Sequence, residues 1–221
     1  MPQRAKIPRP TAKRLSLYLR ELEARHEQGE TTISSKQLGH ALGLTDAQVR
    51  KDLACFGQFG HPGIGYAIEE LIGRLRSILG TDRQWHAAVV GAGNIGRALM
   101  AYGRFPRKGF QIVAVFDDDP AVVGREIAGH GVRPMADLQA IVREREVKIG
   151  IVAVPAEAAQ DVADRLIEAG VTGILNFAPK RLDVKNAVSV VSVDFSVALE
   201  QLAFQVSLGF TGSLDDASGA S

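Results

Sequence analysis

Residues 91–96 read Gly91-Ala92-Gly93-Asn94-Ile95-Gly96, three glycines at the spacing G-x-G-x-x-G. In such a run the first glycine permits a tight turn. The second lets backbone touch a pyrophosphate, and the third lets helix and strand pack closely. By itself the spacing is a weak signal, but its context is the demanded one. Ala87-Ala88-Val89-Val90 precedes it as a short buried-strand pattern, and Arg97 to about Tyr102 follows as a helical stretch. Phosphates would sit at the helix N-terminus, where unpaired N–H groups and the dipole favour an anion. A second strand, Phe110 to Phe116, ends at Asp117, 26 positions after Gly91. A carboxylate at that strand end accepts hydrogen bonds from an adenosine ribose and repels a 2′-phosphate, so the pattern predicts NAD rather than NADP. Asp118 and Asp119 read as turn residues before Pro120.

A different chemistry stands earlier in the chain. Ser34 followed by Gln37 fits a capping box that opens a short helix. That helix should carry Leu38, Ala41 and Leu42 inward and stop at Gly43. Thr45 followed by Gln48 fits a second box, opening a helix in which Val49, Leu53 and Phe56 share a face. Two capped helices with only Gly43-Leu44 between them predict a helix-turn-helix. Ala47, Arg50, Lys51 and Ala54 then face outward. Two adjacent cations on an exposed second helix suit phosphate oxygens or guanine edges. The ten residues Gly57 to Tyr66 follow with four glycines and a proline. They read as a hairpin with a tight tip, a wing whose glycines let backbone approach a DNA minor groove. His61 in that tip reads as an exposed loop residue, since no partner ligands stand nearby.

These groups need two frames. A helix over Ala12 to Glu27 presents Leu15, Tyr18, Leu19 and Leu22 at helical spacing, and another over Ala67 to Leu79 presents Leu71, Leu75 and Ile78. Gly80-Thr81 marks the boundary. Beyond it, strands and helices alternate as in a doubly wound sheet. Helices are predicted over Ala136 to Glu144 and Glu157 to Ala169. The apolar run Lys148 to Val154 reads as a strand buried on both faces, with further strands over Gly173 to Phe177 and Val188 to Val193. Ligands bind beyond the carboxyl ends of such strands, which places Val154, Pro155, Asn176 and Phe177 near a nicotinamide. From Phe195 to Leu208, nine of fourteen residues are apolar and fit no single stripe. Such a helix must be buried on several faces, against a partner subunit or its own domain's sheet edge. Residues 209–221, rich in Gly, Ser and Asp, read as a disordered tail.

Composition narrows the class. With 46% hydrophobic and 23% charged residues in 221, the chain is not mostly disordered. It has no run of about 18 apolar residues for a membrane span. Its basic N-terminus lacks the apolar stretch of a signal peptide. The one cysteine, Cys55, rules out an internal disulfide or a cysteine metal cluster, and points to a reducing cytoplasm. The net charge of +1 divides into +4 over residues 1–80 and −3 over residues 81–221. Arg4, Lys6, Arg9, Lys13 and Arg14 stand together without an acid. That asymmetry predicts a polyanion partner at one end only.

The chain resembles the Rex family of redox-sensing transcriptional repressors of bacteria over about residues 7–208. The resemblance is carried by Ala12-Lys13-Arg14-Leu15 with Tyr18-Leu19-Arg20, Val49-Arg50-Lys51-Asp52-Leu53, Phe56-Gly57 through Gly65-Tyr66, and Gly91 through Gly96. Phe116-Asp117, Val154-Pro155, Gly173-Ile174-Leu175-Asn176-Phe177 and Val193-Asp194-Phe195 complete it. It implies an α/β chain: a winged-helix DNA-binding domain over 1–80, a Rossmann NAD(H)-binding domain over 81–193, and a C-terminal helix over 194–208 swapped between subunits. It implies a homodimer through the Rossmann domain and that helix, operator double-stranded DNA as partner, and NADH and NAD+ as ligands. The implied DNA-facing residues are Ala47, Gln48, Arg50 and Lys51 on the second helix of the motif and Gly63, Gly65 and Tyr66 in the wing. Phe195 is implied to lie against the nicotinamide from the partner chain, with Tyr102 also at the cofactor. Asp194 would choose between Tyr102 in the NADH-bound dimer and Arg20 in the DNA-bound one. The plainer use of Asp194 is as an N-cap of the final helix. The chain departs from the family at Ala54-Cys55, where a hydroxyl residue and tyrosine are usual, and at Pro62, where a basic residue is common. Both departures bear on operator sequence or affinity. The competing reading is an NAD-dependent dehydrogenase or a coenzyme-A-binding enzyme domain. A dehydrogenase needs a proton donor or acceptor near the nicotinamide. None of His26, His40, His61, His86 and His130 falls at the carboxyl end of a late strand, so no enzyme is expected.

Overall fold

A computed structural model of the chain describes residues 9–57, 59–60, 64–184 and 187–209. Arg4, Lys6, His61, Pro62, Gly63 and residues 210–221 of the expected tail lie outside the described residues. The chain divides into two units: residues up to Asp82 with those from Gln201 on, and Arg83–Glu200.

In the first unit, α1 (Arg9–Glu27), β1 (Thr32–Ile33), α2 (Ser35–Ala41), α3 (Asp46–Ala54), β2 (Tyr66–Ala67) and α4 (Ile68–Leu79) share one core. Leu15, Tyr18 and Leu22 of α1 are buried there with Leu38 of α2, Val49 and Leu53 of α3, and Ile68 and Leu75 of α4. The first helix starts at Arg9 rather than Ala12, because Pro10 fits a first turn, where an N–H has no intrahelical partner anyway. Ser34 caps α2 reciprocally: its Oγ accepts the Gln37 N–H at 3.1 Å, and Gln37 Oε1 accepts the Ser34 N–H at 2.9 Å. The second box is half made. Thr45 Oγ1 accepts the Gln48 N–H at 3.1 Å, but the Gln48 side chain turns to Asp52. Ala41 is exposed rather than inward. Its place in the contact is taken by Gly39, where a Cβ would lie 2.6 Å from the Leu44 carbonyl oxygen. Strand pairing at the wing also differs from expectation. Tyr66 lies opposite Ile33, so β2 pairs with β1, a two-residue strand too short to show a pattern.

The second unit holds β3 (Trp85–Val90), α5 (Asn94–Met100), β4 (Phe110–Asp117), β5 (Glu126–Ile127), β6 (His130–Pro134), α6 (Leu138–Glu144), β7 (Ile149–Val152), α7 (Ala159–Glu168), β8 (Gly173–Asn176) and β9 (Ser189–Ser192). The final helix α8 (Phe195–Ser207) follows. The sheet runs β5-β6-β4-β3-β7-β8-β9. From β6 to β9 every pairing is parallel. Counted in chain order without β5, these strands give the doubly wound order 3-2-1-4-5-6. Neighbours such as Val89 and Val90, Val115 and Phe116, and Ile151 and Val152 divide between two cores, one on each face. That is why the strands read as continuous apolar runs. β5 and β6 are short and partly polar, so the hydropathy pattern predicts neither. Ala128 (φ 51°) and Gly129 (φ 80°) make their two-residue turn.

Candidate functional site

The chain leaves β3 toward β4 on one side and leaves β7 toward β8 on the other. In such a sheet the ligand crevice lies at the carboxyl ends where those directions part. Gly91 stands there at φ 101°, and a Cβ on it would meet the Ala153 carbonyl oxygen at 2.4 Å. Gly96, inside α5, backs onto the same turn: its Cβ would lie 1.8 Å from the Gly91 carbonyl oxygen. Gly93 differs, for the space around its missing Cβ is open to 4 Å. Two of the three glycines are thus required by the fold, and the third leaves room for a ligand. Asp117 Oδ2 accepts the Ala92 N–H at 2.6 Å, and Oδ1 accepts the Asp119 N–H at 2.8 Å. The carboxylate is tied to the glycine loop at the end of β4. The tight turn, open glycine and strand-end carboxylate fit a dinucleotide. Asn94 and Ile95 lie in the first turn of α5, which begins three residues before the expected Arg97. Val154 and Pro155 follow the end of β7, half-buried and exposed at the rim.

Asn176 does not face the crevice with its side chain as expected. It is fully buried. Its Nδ2 donates to the Ala178 and Lys180 carbonyls at 3.2 and 2.8 Å, and its Oδ1 accepts the Ala178 N–H at 3.0 Å. An amide with both ends used inside one loop shapes that loop. Phe177 follows, half-buried, its ring centroid 6.3 Å from that of Phe195 in the same chain.

On α3, Ala47, Arg50 and Lys51 are exposed and Gln48 is half-buried. Arg50 Nη1 reaches Asp46 Oδ2 at 2.6 Å and Ser35 Oγ at 3.2 Å, and this guanidinium holds the Asp46 carboxyl below its usual range. In the wing, Gly65 has φ 90°, and a Cβ there would lie 2.5 Å from the Ile33 carbonyl oxygen. Tyr66 is a correction: its ring is buried in the first unit's core, and burial pushes its phenol upward. Facing the core from α3 is Asp52, 2% exposed, to which the residue pattern assigns no role. Arg14 donates to it from Nε and Nη2 at 2.6 and 2.7 Å, Tyr18 Oη at 2.8 Å and Gln48 Nε2 at 2.9 Å. Burial raises such a carboxyl, but the hydrogen bonds from Arg14 and Tyr18 outweigh it and leave Asp52 below its ordinary value. Burial, with the Asp52 hydrogen bond, pushes the Tyr18 phenol strongly upward. An acid at helical position three after Val49 was the signal, since a fully polar face would have no reason to turn it inward.

Two family models match the chain. One, described as "Putative DNA-binding protein N-terminus", covers residues 6–54, and one described as "CoA binding domain" covers residues 82–180. The redox-sensing transcriptional repressor Rex of Carboxydothermus hydrogenoformans is 52% identical over 91% of this chain and 97% of its own length. The chain belongs to the Rex family. The Rex protein of Desulforamulus reducens is 47% identical over 92% of this chain and 97% of its own. The Rex-family repressor RSP, solved in complex with β-NAD+ and operator DNA, superposes with a TM-score of 0.88 at 33% identity, over 93% of this chain and 95% of that one. RSP solved with β-NADH gives 0.85 at 32%, over 93% and 97%.

In this Rex-family chain Arg20 is exposed on α1. Tyr102 lies two residues beyond the end of α5, not on it, half exposed and edge-on to Phe105 at 5.0 Å. Asp194 caps α8: its Oδ1 accepts the Ser196 and Val197 N–H groups at 2.9 and 3.4 Å. No described residue of α8 is buried, and Phe195, Leu199, Leu202, Phe204 and Val206 are each more than half exposed. Cys55, also exposed, ends α3 with Sγ 3.3 Å from the Lys51 carbonyl oxygen. Among the described residues no helix is long and apolar enough to cross a membrane, and no group of three His, Cys, Asp or Glu could hold a metal.

Proposed function

We propose that this chain is a redox-sensing repressor that binds operator DNA as a homodimer in the cytoplasm and leaves it when NADH binds. The observation that carries the reading is the meeting, in one chain, of a cationic outward face on α3 with a glycine crevice tied to Asp117. Ala47, Gln48, Arg50, Lys51 and the wing glycines Gly63 and Gly65 would face DNA. Gly91 to Gly96 would hold a pyrophosphate, Asp117 the adenosine ribose, and Val154, Pro155 and Phe177 the nicotinamide end. The dinucleotide supplies a ring that is positively charged only when oxidised. Phe177 and Phe195 offer that ring an apolar wall, which favours the neutral form because burial strips a cation of its hydration. Phe195 would arrive by exchange of α8 across the dimer. The reading is not enzymatic: His86 and His130 lie at the amino ends of β3 and β6, away from the crevice. Titrating a labelled operator duplex by fluorescence anisotropy tests it. The complex should persist with NAD+ and dissociate as the NADH share rises. A complex indifferent to that ratio would refute the reading.

A further inference from the structure

Gln48 should have closed a capping box with Thr45, yet its side chain points the other way along α3, with Nε2 2.9 Å from Asp52 Oδ1. Chemistry settles which end of the amide faces inward. An ionised carboxylate only accepts, so the nitrogen must face it. Asp52 is itself held from α1. Arg14 Nε and Tyr18 Oη donate to Oδ2, and Arg14 Nη2 and Gln48 Nε2 donate to Oδ1. Each oxygen takes two donors, the full capacity of a carboxylate. No lone pair is left for an alternative arrangement, and the group is buried.

That anchor decides what Gln48 has left to offer. One N–H is spent on Asp52. The second N–H and the carbonyl Oε1 take part in no hydrogen bond among the described residues, and they remain as one donor and one acceptor on the same planar amide. One donor beside one acceptor matches the N7 acceptor and N6 amino group of adenine in the major groove. Guanine presents two acceptors there and demands two donors. An amide locked before binding also loses less conformational freedom on contact than a free one.

We propose that Asp52 is a positioning residue for operator reading, locking Gln48 as a reader of adenine. The proposal rests on the operator-binding reading above. Asp52 touches no base itself and acts through Gln48, and the clamp from Arg14 and Tyr18 carries that effect from α1 to α3.

The test selects duplexes from a randomised DNA pool with the full-length dimer and with Gln48→Met and Asp52→Asn. Each dimer's preference at every base pair is then read by sequencing. Both variants should lose preference for adenine at the same pair of each half-site, by about tenfold. Preferences elsewhere should remain. Replacing that adenine by purine, which lacks the 6-amino group, should weaken the wild-type complex and leave the Gln48→Met complex unchanged. A merely structural Asp52 would lower affinity without moving the preference at one pair. Asp52→Asn strands the Arg14 charge. For that reason the wild-type dimer is also examined by NMR, where one proton of the Gln48 side-chain amide should be shifted downfield and slow to exchange. A Gln48 amide with ordinary, fast-exchanging protons overturns the proposal whether or not Asp52→Asn folds. So does unchanged adenine preference in Gln48→Met. No enrichment by the wild-type dimer would instead overturn operator binding itself, and this proposal with it.

Discussion

Gly93 and Gly96 lie three residues apart in one motif and serve different ends. A methyl on Gly96 would overlap the Gly91 carbonyl oxygen, whereas a methyl on Gly93 enters open space. Gly96→Ala should therefore cost about 2–4 kcal/mol of stability, read as a fall in melting temperature. Gly93→Ala should melt as wild type yet bind NADH at least about tenfold more weakly, through loss of backbone contact with a charged phosphate. Isothermal titration calorimetry with NADH separates the two. Asp117 carries a second residue-scale expectation. Its carboxylate already accepts from Ala92 and Asp119, and a 2′-phosphate would add charge against it. Asp117→Asn should narrow the preference for NADH over NADPH. Among the described residues Arg50 is held by Asp46 and Ser35 at the protein surface, its own side chain exposed, and can leave them at little cost. Arg50→Ala should weaken operator binding by about 1–3 kcal/mol in a gel shift and leave NADH affinity unchanged.

At the scale of elements, α1 and α3 are joined by a charged cluster that gives the first unit a defined pH range. Asp52 sits below its ordinary value of 3.8 when folded. Its contribution is present above that pH and is lost as the solution is acidified through the folded value. Tyr18 has the opposite sign. Its phenol is raised above 10.0 when folded, so its contribution is complete below pH 10 and falls as the pH rises further. The unit should be most stable between about pH 4 and pH 10. Tyr18→Phe should flatten the alkaline fall in a series of urea melts, and a fall of unaltered steepness would remove Tyr18 as its source. The other element of consequence is α8. An apolar helix with no buried residue has the surface of an interaction site. Introducing acids through Leu199→Glu with Phe204→Glu should give a monomer in sedimentation equilibrium while the core shared by α1 to α4 stays folded.

For the molecule as a whole, the redox signal must bias two arrangements of the dimer unequally, or no shift in population follows. Asp194 is placed to do so only if its charge matters beyond the cap it makes for α8. Serine caps a helix about as well as aspartate but carries no charge. Asp194→Ser should thus keep the helix and operator binding, and release DNA only at a higher NADH share. Tyr102→Phe should shift release in the same direction. Release of both variants at the wild-type ratio would leave Asp194 as a cap and nothing more.

Much of this chain is written locally. The capped turn between α2 and α3 and the glycine spacing at Gly91 depend on neighbours a few residues apart, and the structure shows them where the spacing predicts. So do the buried strands β3, β4 and β7, whose apolar runs follow from a sheet covered on both faces. The strand order was not written there, because it depends on which strands pair over long separations. Nor was the use of individual polar groups. Thr45 and Gln48 have the spacing of a reciprocal box, but a buried carboxylate from the next turn competes for the amide and wins. Asn176 has the position of a ligand contact, yet the orphan carbonyls of its own loop take its side chain. Tyr66 has the wing position, yet the core takes its ring. The sequence alone determined which groups are available. Only the tertiary structure decided which of them are already spent, because a buried hydrogen-bonding group must be satisfied before any is left for a ligand.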